Sequence, residues 1–166
     1  MKFIQGDAQE IESIFDEERF DGILNVEAGF HYPDRKRFYD QCREILNPGG
    51  KLVLCDIIPK ENLLDDDDCK FAETYSGIIG LSTENMSIGI LTWKMQLLEV
   101  FNGKVDFHEI TGSTFEPFYI WCEESRVRAG RSCFQRCCEK EFLRDLARYH
   151  MEEPKPFRYM IAICTA

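Results

Sequence analysis

Residues 20–59, FDGILNVEAGFHYPDRKRFYDQCREILNPGGKLVLCDIIP, decide the fold, because they carry a strand, a helix, a turn and a second strand in one uninterrupted unit. Gly22 to Val26 is a short apolar run between polar residues, the length of a buried parallel strand. Asp34, following Pro33, can cap a helix in which Phe38, Cys42, Ile45 and Leu46 recur at helical spacing on one face. Asn47-Pro48-Gly49-Gly50 stops that helix, and Lys51 to Ile58 returns as the second strand. The unit reads as a βαβ crossover. The loop with Glu27, Gly29 and His31 therefore stands at the carboxyl end of the first strand, where open α/β sheets bind their ligands.

Outward from this unit the pattern continues as α/β. Cys69 to Leu81 has helical character interrupted by Gly77 and Gly80. Ser87 can cap a helix that sets Leu91, Met95 and Leu98 on one face and ends at Asn102-Gly103. Lys104 to Ile110 alternates as a strand does. Pro117 to Tyr149 is mostly helical, split near Gly130, and Pro154 and Pro156 introduce a last strand from Phe157 to Cys164.

Length and charge narrow the function classes. The chain has 166 residues, 44% of them hydrophobic, which is material for one core and too little for two. A net charge of -10 argues against nucleic acid, which needs a concentrated positive surface. The basic residues between Arg126 and Arg136 alternate with apolar ones, as on the wet face of a helix. No apolar run is long enough for a membrane span, and MKFIQGDAQEIE has no signal-peptide pattern, so a cytoplasmic protein is expected. The eight cysteines then read as thiols. Cys55 and Cys164 fall in strands as small core residues, and Cys133, Cys137 and Cys138 lack the spacing of a zinc set. The run Asp65 to Asp68 lacks the spacing of a calcium loop, so no metal site is expected.

Four segments give the chain a more specific resemblance: Gly6-Asp7-Ala8, Phe20-Asp21, the loop from Glu27 to His31, and Leu46-Asn47-Pro48-Gly49-Gly50. In this order and spacing they resemble the second half of a class I S-adenosylmethionine-dependent methyltransferase domain of the small-molecule type, and Asp56 matches the acidic residue that often ends that family's fifth strand. The resemblance implies an α/β fold: an incomplete Rossmann-like sheet with helices on both faces, its first two strand-helix units absent. It implies one truncated domain over residues 1–166, with a core βαβ part at 3–59, a helical cover and substrate region with one strand at 60–150, and a closing strand at 157–164. Thr111 to Tyr119 would fall in the cover over the acceptor. The family's glycine-rich cofactor loop has no counterpart, since no G-x-G occurs in the chain. That lack also sets aside a dinucleotide-binding oxidoreductase.

The resemblance also assigns candidate residues. S-adenosylmethionine would be the cofactor and a small molecule the acceptor. Asp7 and Ala8 would meet the adenine end of the cofactor, Asn25, Val26 and Glu27 its sulfonium side, and His31 the acceptor, with Glu27 and His31 as candidate bases. Each has a plainer reading: Asp7 as the cap of a helix over Ala8 to Phe15, Glu27 and His31 as solvated loop residues. His108 reads as structural, and Trp93, Phe115, Phe118, Tyr119 and Trp121 as core or pocket lining. Without the first two units, Phe3-Ile4-Gln5 is an orphaned third strand and the edge beside Gly22 to Val26 is bare. Re-pairing within the chain, a homo-oligomer, or an amino-terminal partner would cover that edge. Two function classes follow: a methyltransferase of which this is the carboxyl-terminal part, inactive alone, or a non-catalytic binding or dimerisation module.

Overall fold

The computed structural model describes residues 2–61, 83–129 and 157–166. Its central helix starts where the cap chemistry places it: the Asp34 side chain accepts from the Arg37 amide at 2.9 Å, and α2 follows (Arg35–Ile45). A short helix α1 (Ile11–Phe15), entered through a 3-10 turn at Ala8–Glu10, lies against it. On either side of α2 run β1 (Phe20–Val26) and β2 (Leu46–Pro59), paired in parallel from Gly22↔Lys51 to Val26↔Cys55. The ladder slips between Phe20↔Leu46 and Gly22↔Lys51, and the expected turn is the extra chain in that slip. Gly49 sits there at φ +81, where a side chain would strain the backbone. β2 is therefore continuous from Leu46, earlier than the expected Lys51.

The rest of the sheet comes from the end of the chain. After α3 (Thr83–Met86) and α4 (Ile90–Val100), β3 (Val105–Glu109) leads into α5 (Thr111–Ala129), and β4 is Phe157–Thr165. The strand order is β1-β2-β4-β3, with β4 antiparallel to both neighbours. The core lies on one face, where α2 and α4 cover Leu52, Leu54, Ala162 and Cys164. Trp93, fully buried, donates its indole N–H to the Tyr39 hydroxyl at 2.9 Å, tying the two helices together. Among the described residues the opposite face is barely covered. Leu24 and Val26 are 71% and 52% exposed, and strand alternation puts Val53, Cys55, Ile161 and Ile163 beside them, half-buried. At the far end of that face, Phe115 of α5 meets Tyr159 edge-on. Among the described residues β1 pairs only with β2, so its outer edge is open.

Several expectations are corrected. Phe3-Ile4-Gln5 forms no strand, and Phe3 is 85% exposed, because among the described residues no neighbouring strand is there to accept it. Ser87 does not cap α4; Gly89 holds that position, and the Ser87 hydroxyl donates to the Glu84 carbonyl. The buried face of α4 is Trp93, Leu97 and Val100, leaving Leu91, Met95 and Leu98 exposed. The helix is apolar on two faces, and the one with the tryptophan wins the core because it removes more area from water. α5 starts at Thr111 and runs through Pro117. Cys164 is buried as expected, but Cys55 is half-buried on the open face. Asn102-Gly103 does end α4, with Gly103 at φ +78 donating to the Leu98 carbonyl at 2.7 Å. The expected helix over Cys69 to Leu81, the Asp65 to Asp68 run, the Cys133 cluster and the break near Gly130 lie outside the described residues. Among those described, no helix is long and apolar enough to cross a membrane.

Candidate ligand site at the strand ends

β1 ends at Val26, and its ladder is prolonged by the Glu27 amide, which donates to the Cys55 carbonyl at 2.8 Å. Glu27 then takes φ +50, a left-handed conformation rare outside glycine, and turns the chain into a 3-10 turn at Gly29–His31. Gly29 is required by what lies beneath it: a Cβ would stand 2.5 Å from Asp56 Oδ2. Asn85, buried in α3, donates to the Phe30 and Tyr32 carbonyls at 3.0 and 2.6 Å and holds the loop from outside.

Under the loop sits a buried polar cluster. Asp56, 2% exposed, accepts from the Ile57 amide at 3.0 Å. Burial pushes its carboxyl up to about 6, against the opposing pull of Arg35, the Ile57 amide and His31. Arg35 is fully buried and donates through Nε to the Gly29 carbonyl at 3.2 Å and through Nη2 to the Ile57 carbonyl at 3.5 Å. A buried arginine thus binds the base of the loop to the end of β2. From across the sheet the Tyr159 hydroxyl donates to Glu27 Oε1. Burial, together with the neighbouring Glu27, raises the Tyr159 pKa far above its ordinary value, so the phenol keeps its proton.

A second group of candidates lies toward the open edge. Asn25, 6% exposed, donates through Nδ2 to the Tyr32 hydroxyl at 2.9 Å, while its Oδ1 is buried with no partner among the described residues. Asp7 caps the first turn, accepting from the Gln9 amide at 2.9 Å, and its charge reaches the Tyr32 hydroxyl. Gln9 and Arg37 fasten that turn to α2: the Asp34 amide donates to Gln9 Oε1 at 2.8 Å, and Arg37 Nε to the Gln9 carbonyl at 3.1 Å. Along the edge, a cavity of about 310 Å³ is lined by Ile11, Phe15, Phe20, Ile23, Asn25 and Tyr32 among others. It is apolar, and it is not where the titratable groups gather.

The structure thus divides the sequence-assigned residues. Asp7, Ala8 and Asn25 line the edge side; Glu27 and His31 stand with Asp56 at the strand ends. Of the aromatic set, Trp93 is core, Phe115 is buried on Tyr159, and Trp121 stacks on Phe118 while half exposed. His108 is exposed on β3. Sequence reasoning missed Arg35, Tyr32, Asn85 and Tyr159 as partners. It saw Asp56 only as a motif residue, although a carboxylate ending an apolar strand already signals a buried charge.

Comparison with known proteins agrees with the fold. Residues 1–54 match the model of a methyltransferase domain family. The phthiotriol/phenolphthiotriol dimycocerosates methyltransferase of Mycobacterium tuberculosis is 38% identical over 63 residues, 38% of this chain and 23% of that protein. The erythromycin 3''-O-methyltransferase of Saccharopolyspora erythraea is 30% identical over 122 residues, 71% of this chain and 39% of that protein. The chain therefore spans less than half the length of these curated relatives. Among solved structures, phosphoethanolamine N-methyltransferase 2 of Haemonchus contortus, in complex with phosphomonomethylethanolamine and S-adenosylhomocysteine, superposes with a TM-score of 0.70 at 14% identity. That match covers 96% of this chain and 35% of that one. Family match and sheet topology together place the chain among proteins of the class I S-adenosylmethionine-dependent methyltransferase fold.

Proposed function

We propose that this chain is the carboxyl-terminal part of a cytoplasmic, S-adenosylmethionine-dependent enzyme that methylates a small molecule, and that it is inactive by itself. The observation that carries this reading is the coexistence of a polar cluster at the strand ends with an open apolar edge on β1. The residues present fit one side of the cofactor: Asn25 Oδ1 is a buried acceptor without a partner among the described residues, with Asp7 on the same side. Asp7, Ala8, Asn25, Val26 and Glu27 would hold it there. The chain contributes no glycine-rich cradle for the other side. When bound, the cofactor supplies an electrophilic methyl group. The chain's own residues position the acceptor, and Glu27 or His31 takes up a proton where the acceptor must lose one.

Completion of the site would come through the edge of β1. A parallel strand is buried on both faces, and here the cavity along Ile23 on one side and Leu24 with Val26 on the other offer apolar surface to such a neighbour. A separate segment with strand-helix units fits better than a second copy, which would bring another net charge of -10. A second reading, a non-catalytic module that binds or dimerises through this surface, is favoured by the same exposed Leu24 and Val26.

Calorimetric titration with S-adenosylhomocysteine, paired with solution mass, separates the readings. Absence of binding by the monomer, with micromolar binding (about -8 kcal/mol) once an amino-terminal segment is supplied, is the expected result. Failure to bind in every combination would leave the module.

A further inference from the structure

We propose that Tyr159 is a positioning residue of this site: its hydroxyl holds the Glu27 carboxylate by Oε1 at the strand ends, so that Oε2 faces outward as an acceptor for a ligand hydroxyl or ammonium group. The inference rests on the ligand site proposed above and names the group that shapes it. Tyr159 and Glu27 are 132 residues apart and meet only because β4 inserts between β2 and β3.

The two partners differ in rigidity. Tyr159 is 5% exposed and fixed on three sides: its amide donates to Thr111 Oγ1 at 3.0 Å, its carbonyl accepts from the Ile110 amide at 2.8 Å, and its ring meets Phe115 with centroids 6.0 Å apart. Glu27 is exposed and carries a left-handed backbone, φ +50, that a non-glycine residue adopts at a cost unless its surroundings impose it. A rigid donor thus anchors a residue that has little else to fix its side chain. Among the described residues nothing donates to Glu27 Oε2. The bond is charge-assisted, the stronger kind, and the raised phenol pKa keeps the donor proton in place throughout the physiological range.

Amide exchange measured by NMR on the chain tests the inference without any ligand. In Tyr159→Phe, which keeps the ring on Phe115, exchange of the Glu27 amide should speed at least tenfold, while the Leu54 and Ala162 ladder amides stay unchanged. Glu27→Ala should do the same and shift the Tyr159 Cζ resonance. Glu27→Gln, which retains an acceptor oxygen, should restore both readouts toward the unsubstituted chain. Unchanged exchange in Tyr159→Phe, or a Glu27→Gln variant that behaves as Glu27→Ala, would overturn the proposal. Because the measurement needs no cofactor, failure to bind S-adenosylhomocysteine in every combination with an amino-terminal segment would count against the proposed function alone.

Discussion

Leu54 and Val26 lie on adjacent paired strands, yet Leu54 is 2% exposed and Val26 52% exposed. They belong to opposite faces of one sheet. Both faces are apolar; among the described residues α2 and α4 cover one, while the other meets α5 at its far end. The contrast teaches that strand sequence alone does not settle burial: a run such as Ile23-Leu24-Asn25-Val26 prepares two surfaces, and the elements docked on them decide which contributes to stability and which stays available for assembly.

The largest effect should come from the covered face. Trp93→Ala removes a fully buried side chain that fills the space between α2 and α4 and satisfies the Tyr39 hydroxyl. A loss of about 3–5 kcal/mol is expected by denaturant unfolding, enough to unfold a marginal domain. Retention of near-normal stability would mean that the two faces are energetically alike, and the comparison would fail.

Next comes the buried carboxyl between the faces and the site. Asp56 has a folded pKa of about 6, raised above its ordinary 3.8 by burial and by Glu27, with Arg35 and His31 opposing. A carboxyl raised by folding is stabilising while protonated: the contribution is complete below its ordinary pKa and disappears as pH climbs through about 6. Roughly 3 kcal/mol of stability should thus be lost from pH 4 to 7 through this group, superposed on the other carboxylates. Asp56→Asn should remove that component and make the chain more stable at neutral pH than the unsubstituted one. Parallel pH-stability curves for the two chains would sink the idea.

A smaller effect tests how the covered face is held in register. Asp34→Ala deletes the cap bond to the Arg37 amide, and a loss of about 1 kcal/mol is expected with no change in the denaturant slope.

These elements differ in how legible they were. The cap at Asp34, the end of α4 at Asn102-Gly103 and the four strands follow from local chemistry: a side-chain acceptor three residues from an amide, a left-handed turn, an apolar run of fixed length. The face of α4 was misread because Leu91, Met95 and Leu98 repeat as helically as Trp93, Leu97 and Val100, and only the partner surface chooses between them. The start of α5 was misplaced because Pro117 resembles a first-turn proline, whereas Thr111 begins the helix next to Tyr159. At the site, Glu27 and His31 were legible from the loop after β1. Their surroundings were not: Arg35 reads as an ordinary surface arginine of a capped helix, and nothing near Tyr159 in sequence points to Glu27.

The smallest expected change in the chain alone is also the sharpest test of what the open face is for. Leu24→Ser and Val26→Thr alter side chains that are mostly in water already, so each should shift the stability of this chain by no more than about 0.5 kcal/mol. If that surface receives a strand-helix segment, the same substitutions remove apolar contact from a buried interface, where about 25 cal/mol is lost per Å². Leu24→Ser should then weaken association with the supplied segment by tenfold or more, read by titration, while the melting curve of the chain alone stays where it was. Equal effects on both would mean that Leu24 is already packed within the chain. No effect on either would mean that the open face of the sheet is simply a surface, and that the edge of β1 is not where the site is completed.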